Sequence, residues 1–256
     1  MKLTNLNYFS PAAQKKYMSV SQFKAFEKCP AAAMAEIKGK YVRERTIPML
    51  VGSYVDAYFD GELDAFCARN PDLFRKDGTL KSEFIGANDV IKRIERDKMM
   101  MRFFNGEKQV IMTGEISGVP VKIKIDSLLK NKIVDRKIMR DFEDVYVFDK
   151  GGRVPWFEAW DYPLQGAVYQ EIVRQNTGKR LPFYLAAATK EKVPDIAIIQ
   201  IAQEQLDEEL EKFKRDAVYY NSVKQGLVKP DRCNHCDYCR ETKVIRKAAL
   251  STDLFI

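Results

Sequence analysis

Residues 126–137 are DSLLKNKIVDRK, which is the pattern of an apolar strand, a polar Lys-Asn turn and a second apolar strand. A hairpin that folds about the middle of that turn places Asp126 opposite Asp135. Side chains alternate along a strand, so Asp135 and Lys137 point to one face and the arginine between them points to the other. Two carboxylates and one ammonium are therefore expected on one patch. This patch suits a hard divalent cation, and an ordinary cross-strand ion pair on the surface is the alternative.

The segments on either side of the hairpin predict an α/β chain in which helices flank a mixed sheet. A strand over 108–117 would complete an antiparallel meander, and two apolar stretches over 182–188 and 195–201 are typical of strands buried in the same sheet. Helices are predicted at 20–26, from Pro30 to near Gly39, and at 50–59, 81–101, 162–174 and 206–220.

Composition fits one domain over residues 1–256, with a helical segment at about 19–101, a core at about 108–202 and a cysteine motif at 233–239. With 46% hydrophobic residues the chain can bury a sizeable core. It has no apolar run long enough to span a membrane and begins with a polar segment, so we expect a cytoplasmic protein without a membrane partner. The net charge of +7 favours a polyanionic partner, and a solvated surface of mixed charge is the alternative.

The spacing of Asp126, Asp135 and Lys137 resembles the core motif of the PD-(D/E)XK nuclease superfamily, which has a restriction-endonuclease-like fold. Residues 49–56 (MLVGSYVD) look like the helical G-x-x-x-H segment of its RecB-like branch, and residues 165–169 (QGAVY) look like its Q-x-x-x-Y helix. Together with FEKCP at positions 26–30 and CNHCDYC at 233–239, the pattern resembles RecE-like phage and prophage exonucleases from about residue 19 to 240.

The resemblance implies a metal-dependent deoxyribonuclease, and specifically an exonuclease acting on DNA ends in phage-type recombination. Asp126 and Asp135 would bind Mg²⁺ or Mn²⁺, and Lys137 would polarise or help to deprotonate the attacking water and offset charge on the phosphate. Asp56 stands where these relatives commonly have histidine, and a carboxylate can also bind either metal. A solvated Asp56 is the alternative, and the departure leaves open an inactive member of the fold that only binds DNA.

Other side chains are candidates for supporting roles. Gln165 and Tyr169 share a helix face, where the resemblance gives them a catalytic role in contacting a phosphate or orienting the lysine. Glu115 is a candidate for an outer carboxylate. Trp156 and Trp160 can stack on unpaired bases, although core packing is the more common use of an aromatic residue.

The cysteines form a second candidate site. Three of them follow each other at intervals of three positions within 233–239, which suits a [4Fe-4S] cluster better than zinc. The resemblance to iron–sulfur nucleases adds a fourth ligand from ahead of the core. The predicted ligands are Cys29, Cys233, Cys236 and Cys239. Zinc, with His235 as a substitute ligand, is the alternative, and Cys67 is expected to be a small apolar residue in a helix.

The same cysteine layout occurs in nucleases that trim DNA for CRISPR adaptation, which is a second functional hypothesis. DNA is the expected partner in each case. A recombination exonuclease would also imply a single-strand annealing protein, and a ring-shaped homo-oligomer would suit processive digestion. The direction of digestion and the strandedness of the substrate stay open.

Overall fold

The computed structural model describes residues 1–245, 248 and 250, and its centre is a five-stranded mixed sheet. The first three strands form the predicted antiparallel meander, in which each strand pairs with the next along the chain. They are β1 (Glu107–Ile116), β2 (Val119–Leu129) and β3 (Lys132–Met139). These pairings confirm the predicted meander, and the two short turns explain why each strand pairs with the next one along the chain.

Four more strands follow along the chain. Two of them, β4 (Val145–Val147) and β5 (Gly152–Val154), form a separate small hairpin. The other two, β6 (Phe183–Thr189) and β7 (Ile196–Gln200), extend the main sheet in the order β1-β2-β3-β6-β7. Strand β6 runs parallel to β3, and β7 runs antiparallel to β6 at the sheet edge. The mixed sheet predicted from the two apolar stretches is therefore confirmed.

Seven helices precede the sheet in the described chain, and four more lie after β5. The first seven are α1 (Pro11–Lys16), α2 (Val20–Lys28), α3 (Pro30–Ile37), α4 (Ile47–Asp60), α5 (Leu63–Arg69), α6 (Ser82–Glu95) and α7 (Lys98–Phe104). The later four are α8 (Trp156–Ala159), α9 (Tyr162–Thr177), α10 (Gln203–Lys224) and α11 (Asp237–Glu241). Among the described residues, no helix combines the length and the apolar character that crossing a membrane would need.

Helices cover both faces of the sheet, and alternate residues of β3 and β6 serve the two faces. Ile133 and Leu185 pack with α9 and α10, whereas Val134 and Ala186 pack with α4, α6 and α7. Gly166 allows α9 to lie close to the sheet, because a Cβ atom at this position would come within 2.6 Å of the Phe183 ring. This alternation decides which way the charged residues of β3 point.

One predicted helix is wrong in extent. The charged stretch 81–101 forms two helices, since α6 ends at Glu95 and α7 begins at Lys98. Asp97 separates them: its carboxylate accepts hydrogen bonds from the backbone N–H groups of Met99 and Met100, which caps the second helix.

Candidate functional site

Asp126 lies where the pairing of β2 with β3 ends. The cross-strand pairs are Ser127 with Val134, Leu128 with Ile133 and Leu129 with Lys132. This is the predicted register, and one further step sets Asp126 against Asp135. Instead of another backbone pair, the Asp126 carboxylate accepts a hydrogen bond from the backbone N–H of Arg136 at 3.0 Å. The aspartate side chain thus takes the place of the next bond in the ladder.

Asp135 is buried and held from two sides. Its Oδ1 accepts a hydrogen bond from Gln165 Nε2 at 2.6 Å, and its Oδ2 lies 2.6 Å from the ammonium nitrogen of Lys137. Burial raises the pKa of Asp135 to about 6, the Lys137 charge lowers it, and the nearby Asp126 carboxyl raises it again. Burial opposes the charge of Lys137, yet the carboxylate beside it raises the lysine pKa overall. Lys137 is therefore protonated at neutral pH.

The helix α9 fixes this arrangement from above the sheet. Gln165 orients Asp135 and not the lysine, and the Tyr169 hydroxyl donates to the backbone carbonyl of Lys124 at 3.0 Å. The lysine is instead placed by Asp135 and by the ring of Tyr162, whose centroid lies 4.8 Å from its Nζ. The roles predicted for Gln165 and Tyr169, in contacting a phosphate or orienting Lys137, stay predictions.

Arg136 points to the opposite face, where it contacts two aspartates of α4. Its side chain is fully buried, with Nη2 2.6 Å from Asp60 Oδ1 and Nε 3.4 Å from Asp56 Oδ1. Gln109 Nε2 donates to the other oxygen of Asp60 at 2.8 Å. The alternation of the strand predicts the direction of Arg136 but not its partners. An arginine inside a strand that is covered on both faces requires a buried acid as its partner. This requirement is the sequence signal that could have indicated an acidic partner for Arg136.

The charges around this centre suit a divalent cation. Four carboxylates, those of Asp56, Asp60, Asp126 and Asp135, surround the cationic side chains of Arg136 and Lys137, and they outnumber the cations even when Lys24 beside Lys137 is included. Burial, followed by the charge of Asp126, raises the pKa of Asp56 to about 7 although 38% of its side chain is exposed. Oxygen-only ligands that repel one another are the donor set that Mg²⁺ and Mn²⁺ prefer.

The three predicted metal ligands are not gathered tightly in this structure. Across residues 1–245, the cysteines form the only group of three or more ligand-type side chains whose donor atoms all lie within 4.8 Å of one another. Asp56 and Asp135 are instead each drawn to a cationic side chain. The ligand roles of Asp56, Asp126 and Asp135 thus stay predictions.

A second lysine that sequence reasoning missed stands beside Lys137. Lys24 of α2 donates to the Trp160 carbonyl at 2.7 Å, and its Nζ lies 5.6 Å from the centroid of the Tyr162 ring. Burial lowers its pKa to about 8, with Asp161 acting to raise it and Lys137 to lower it. No local pattern identifies Lys24, because its partners lie more than 110 positions along the chain.

Of the remaining candidates, Glu115 lies away from this centre and Trp156 packs in the core. Glu115 is exposed and pairs with Pro120, six residues before Asp126 on β2, so about 20 Å of strand separates the two carboxylates. Its assignment as an outer carboxylate is wrong. Trp156 is buried and stacks on Phe142 with ring centroids 5.2 Å apart, so it packs in the core; the Trp160 side chain is exposed.

The four predicted cysteines meet in one cluster, although they come from the two ends of the described chain. The Sγ atoms of Cys29 and Cys239 are 3.6 Å apart, and those of Cys233 and Cys239 are 3.9 Å apart. All four sulfur atoms lie within 4.8 Å of one another. They can hold one metal ion or cluster, as thiolates do in zinc and iron–sulfur sites.

Two helix junctions position these thiols. Cys29 is the residue at which α2 ends and α3 begins, and Cys236 is the N-cap of α11. His235 lies close to the cluster, but its Nδ1 is 2.8 Å from the Cys233 carbonyl oxygen. Cys67 packs on the hydrophobic cluster of α4 and α6, away from the other four.

Comparison with known proteins gives the wider setting of this geometry. Residues 19–242 match the model of a family described as "PDDEXK-like domain of unknown function". A crystal structure from Eubacterium rectale, described as that of a "Putative exonuclease", is 44% identical in sequence and superposes with a TM-score of 0.95. The match covers 100% of this chain and 98% of the other. No curated protein matches.

The family match spans most of the chain and includes both the carboxylate–lysine centre on β2 and β3 and the four cysteines. The chain belongs to the PDDEXK-like domain family, and it has the mixed α/β fold of that family.

Proposed function

We propose that the protein is a divalent-metal-dependent exonuclease that hydrolyses phosphodiester bonds at DNA ends. The observation that carries this proposal is the placement of Asp126, Asp135 and Lys137 at the open end of one hairpin in a PDDEXK-like chain. The similarity to a crystal structure described as an exonuclease supports activity at ends. In this proposal the protein acts in the cytoplasm as one nuclease domain.

The side chains divide the chemistry between them. Asp56, Asp126 and Asp135 would hold the cation, which when bound would polarise a phosphate oxygen and lower the pKa of a water molecule. The Asp135 carboxylate raises the pKa of Lys137, so its ammonium would offset the charge that develops on the phosphate and polarise the attacking water. Gln165 holds the Asp135 carboxylate in one orientation, and the contact with Arg136 holds the Asp56 carboxylate beside β3.

A comparison of linear and circular DNA tests the proposal. The full-length protein should degrade end-labelled linear DNA in Mg²⁺ or Mn²⁺ but not in a chelator. It should leave closed circular DNA intact in every condition. Cleavage of circles at the same rate would indicate an endonuclease. Binding of both DNAs without cleavage in either metal would favour the alternative, a nuclease fold that only holds DNA.

Asp56 provides a separate prediction about the metal. Asp56→Asn should weaken Mn²⁺ binding at least about tenfold in isothermal titration, because it removes one charged oxygen ligand while keeping the side-chain shape. Glu115→Gln is the matched control, since it removes a carboxylate that lies far from the centre. Equal Mn²⁺ affinity in the two variants would mean that Asp56 is not a ligand.

The cysteine cluster is proposed to hold a [4Fe-4S] centre, with zinc as the alternative. The protein purified without oxygen should contain about four iron and four sulfide per chain, and Cys29→Ser and Cys239→Ser should each remove them. Cys67→Ser is the control and should keep the full metal content. Zinc without sulfide would assign a zinc site, and a metal content that is unchanged by Cys29→Ser would contradict a site at this cluster.

Recombination supplies the biological role that fits such an enzyme best. Digestion of one strand from an end exposes the other strand, which a single-strand annealing protein would then bind. A ring of identical subunits would suit processive digestion, and analytical ultracentrifugation of the protein with and without linear DNA would test this assembly.

A further inference from the structure

We propose that a cavity beside the N-terminal helices is a binding groove for single-stranded DNA. The groove is a space of about 590 Å³ between the N-terminal segment, α2, α3 and the coil that follows α3. Its lining includes Phe9, Lys15, Lys38, Tyr41 and Arg43. The inference rests on the proposed nuclease function, for which it supplies the path of one unpaired strand.

The charge of the groove suits a polyanion. Three basic side chains line it, from Lys15, Lys38 and Arg43, against one acidic side chain, that of Glu36. Glu36 is already bonded to Arg43, at 2.8 Å. The coil 38–45 has the sequence KGKYVRER, with four basic residues and one acid. A strand of phosphates would therefore be attracted along this wall.

Two aromatic rings, those of Phe9 and Tyr41, line the groove together with these charges, and exposed rings are what unpaired bases can stack on. The Phe9 side chain is 68% exposed, although burial is the usual state of a phenylalanine. Tyr41 lines the same space from the opposite coil. Rings and basic groups that alternate along a groove bind single strands without regard to sequence, because every base has a face on which to stack.

The groove leads to the candidate active centre by two routes. The Phe9 ring lies 5.6 Å from Lys124 Nζ, and Lys124 is two positions before Asp126 on β2. Helix α2 contributes Ser21 to the groove and Lys24 to the corner beside Lys137. A strand lying in the groove would therefore contact the same elements, β2 by way of Phe9 and α2, that carry or border the candidate active centre.

The outer wall of the groove is joined to the cysteine segment. The rings of Tyr41 and Tyr238 are 5.4 Å apart, and Tyr238 lies between two of the clustered cysteines. The position of the coil therefore depends on the segment that closes the cysteine cluster.

The test measures binding of labelled single-stranded DNA by the full-length protein in chelator, where no cleavage occurs. Lys38→Ala with Arg43→Ala should weaken binding about tenfold and flatten its dependence on log salt by about 1.4, because each phosphate left without a cationic partner lowers that slope by about 0.7. The control is Lys92→Ala with Lys214→Ala, which removes two exposed cationic side chains outside the groove. It should change the affinity by less than about twofold.

A second variant separates stacking from charge. Phe9→Ala should weaken single-strand binding by about tenfold at every salt concentration, with the salt dependence unchanged. Leu227→Ala, which also trims a highly exposed apolar side chain, is its control and should have no effect. Equal losses in the charge variant and its control would overturn the proposal, as would an unaltered affinity in Phe9→Ala.

Competition identifies the occupant. Unlabelled single-stranded DNA should displace the probe, whereas equal competition by a blunt duplex of the same sequence would contradict a groove for unpaired bases. These outcomes are independent of the nuclease proposal. Groove variants that bind like the parent, while the parent degrades linear DNA, would leave the nuclease in place and remove the groove.

Discussion

Asp135→Asn should lower the rate of DNA cleavage by about 10³-fold or more while the chain still folds. Asp135 is in contact with both Lys137 and Gln165, so its loss removes one ligand oxygen charge and disturbs the group that neutralises the phosphate. Asparagine keeps the side-chain shape and an oxygen that can accept the Gln165 hydrogen bond. The expected loss is therefore one of chemistry and not of packing.

The measurement is the initial rate of nucleotide release from end-labelled linear DNA at saturating Mg²⁺. Asp126→Asn and Lys137→Met should show losses of similar size, and the double variants should be little worse than the single ones, because the three side chains act as a unit. Glu115→Gln is the matched control and should cut at the parent rate. Full activity in Asp135→Asn would place the active centre elsewhere.

Arg136→Met should reduce the free energy of unfolding by about 3–5 kcal/mol, the usual cost of removing one partner of a buried ion pair. The guanidinium is fully buried against Asp60, whose side chain is only 11% exposed. Methionine fills a similar volume but leaves the carboxylate without its partner in a region that excludes water. The loss should appear as a lower midpoint in urea, with a little-changed slope.

A surface pair provides the comparison. Arg174→Met removes a guanidinium that is 52% exposed and bonded to Glu171, and it should cost less than about 1 kcal/mol. Adding Asp60→Asn to Arg136→Met should restore part of the lost stability, because it removes the unpaired charge. Equal losses for Arg136→Met and Arg174→Met would contradict the buried network.

Local patterns decide how far the sequence predicts this protein. The hairpin register follows from one turn, and with it the placement of Asp126 against Asp135, since both depend on a dozen consecutive residues. The direction of Arg136 follows from the same alternation. Its partners do not, because Asp60 lies 76 positions away on a helix whose packing angle no local rule specifies. The position of Lys24 in the site is not predicted for the same reason, since its hydrogen-bond partner Trp160 lies 136 positions away.

Two predictions are wrong, those for the helix over 81–101 and for Glu115, because another structural feature overrides the local pattern. The charged stretch 81–101 is predicted as one helix, but the Asp97 carboxylate caps a new helix there, and the cap ends the continuous segment. Glu115 shares a hairpin with Asp126, but strand length along β2 separates them. The unusual short spacing of Cys233, Cys236 and Cys239 identifies them as candidate ligands. The resemblance adds Cys29 as the fourth ligand, 204 positions before Cys233.

Because Cys29 clusters with three cysteines far along the chain, the cluster can form only after the last of them has been synthesised. A ribosome adding about 5–20 residues per second needs about 10–40 seconds to travel from codon 29 to codon 233. During that interval α2 and α3 emerge with a lone thiol at their junction. The cluster can close only after translation has passed residue 239, so a metal held by all four thiols would be bound after the whole sheet has been synthesised. A polypeptide released before residue 233 would lack this link between its first helices and the later cysteines.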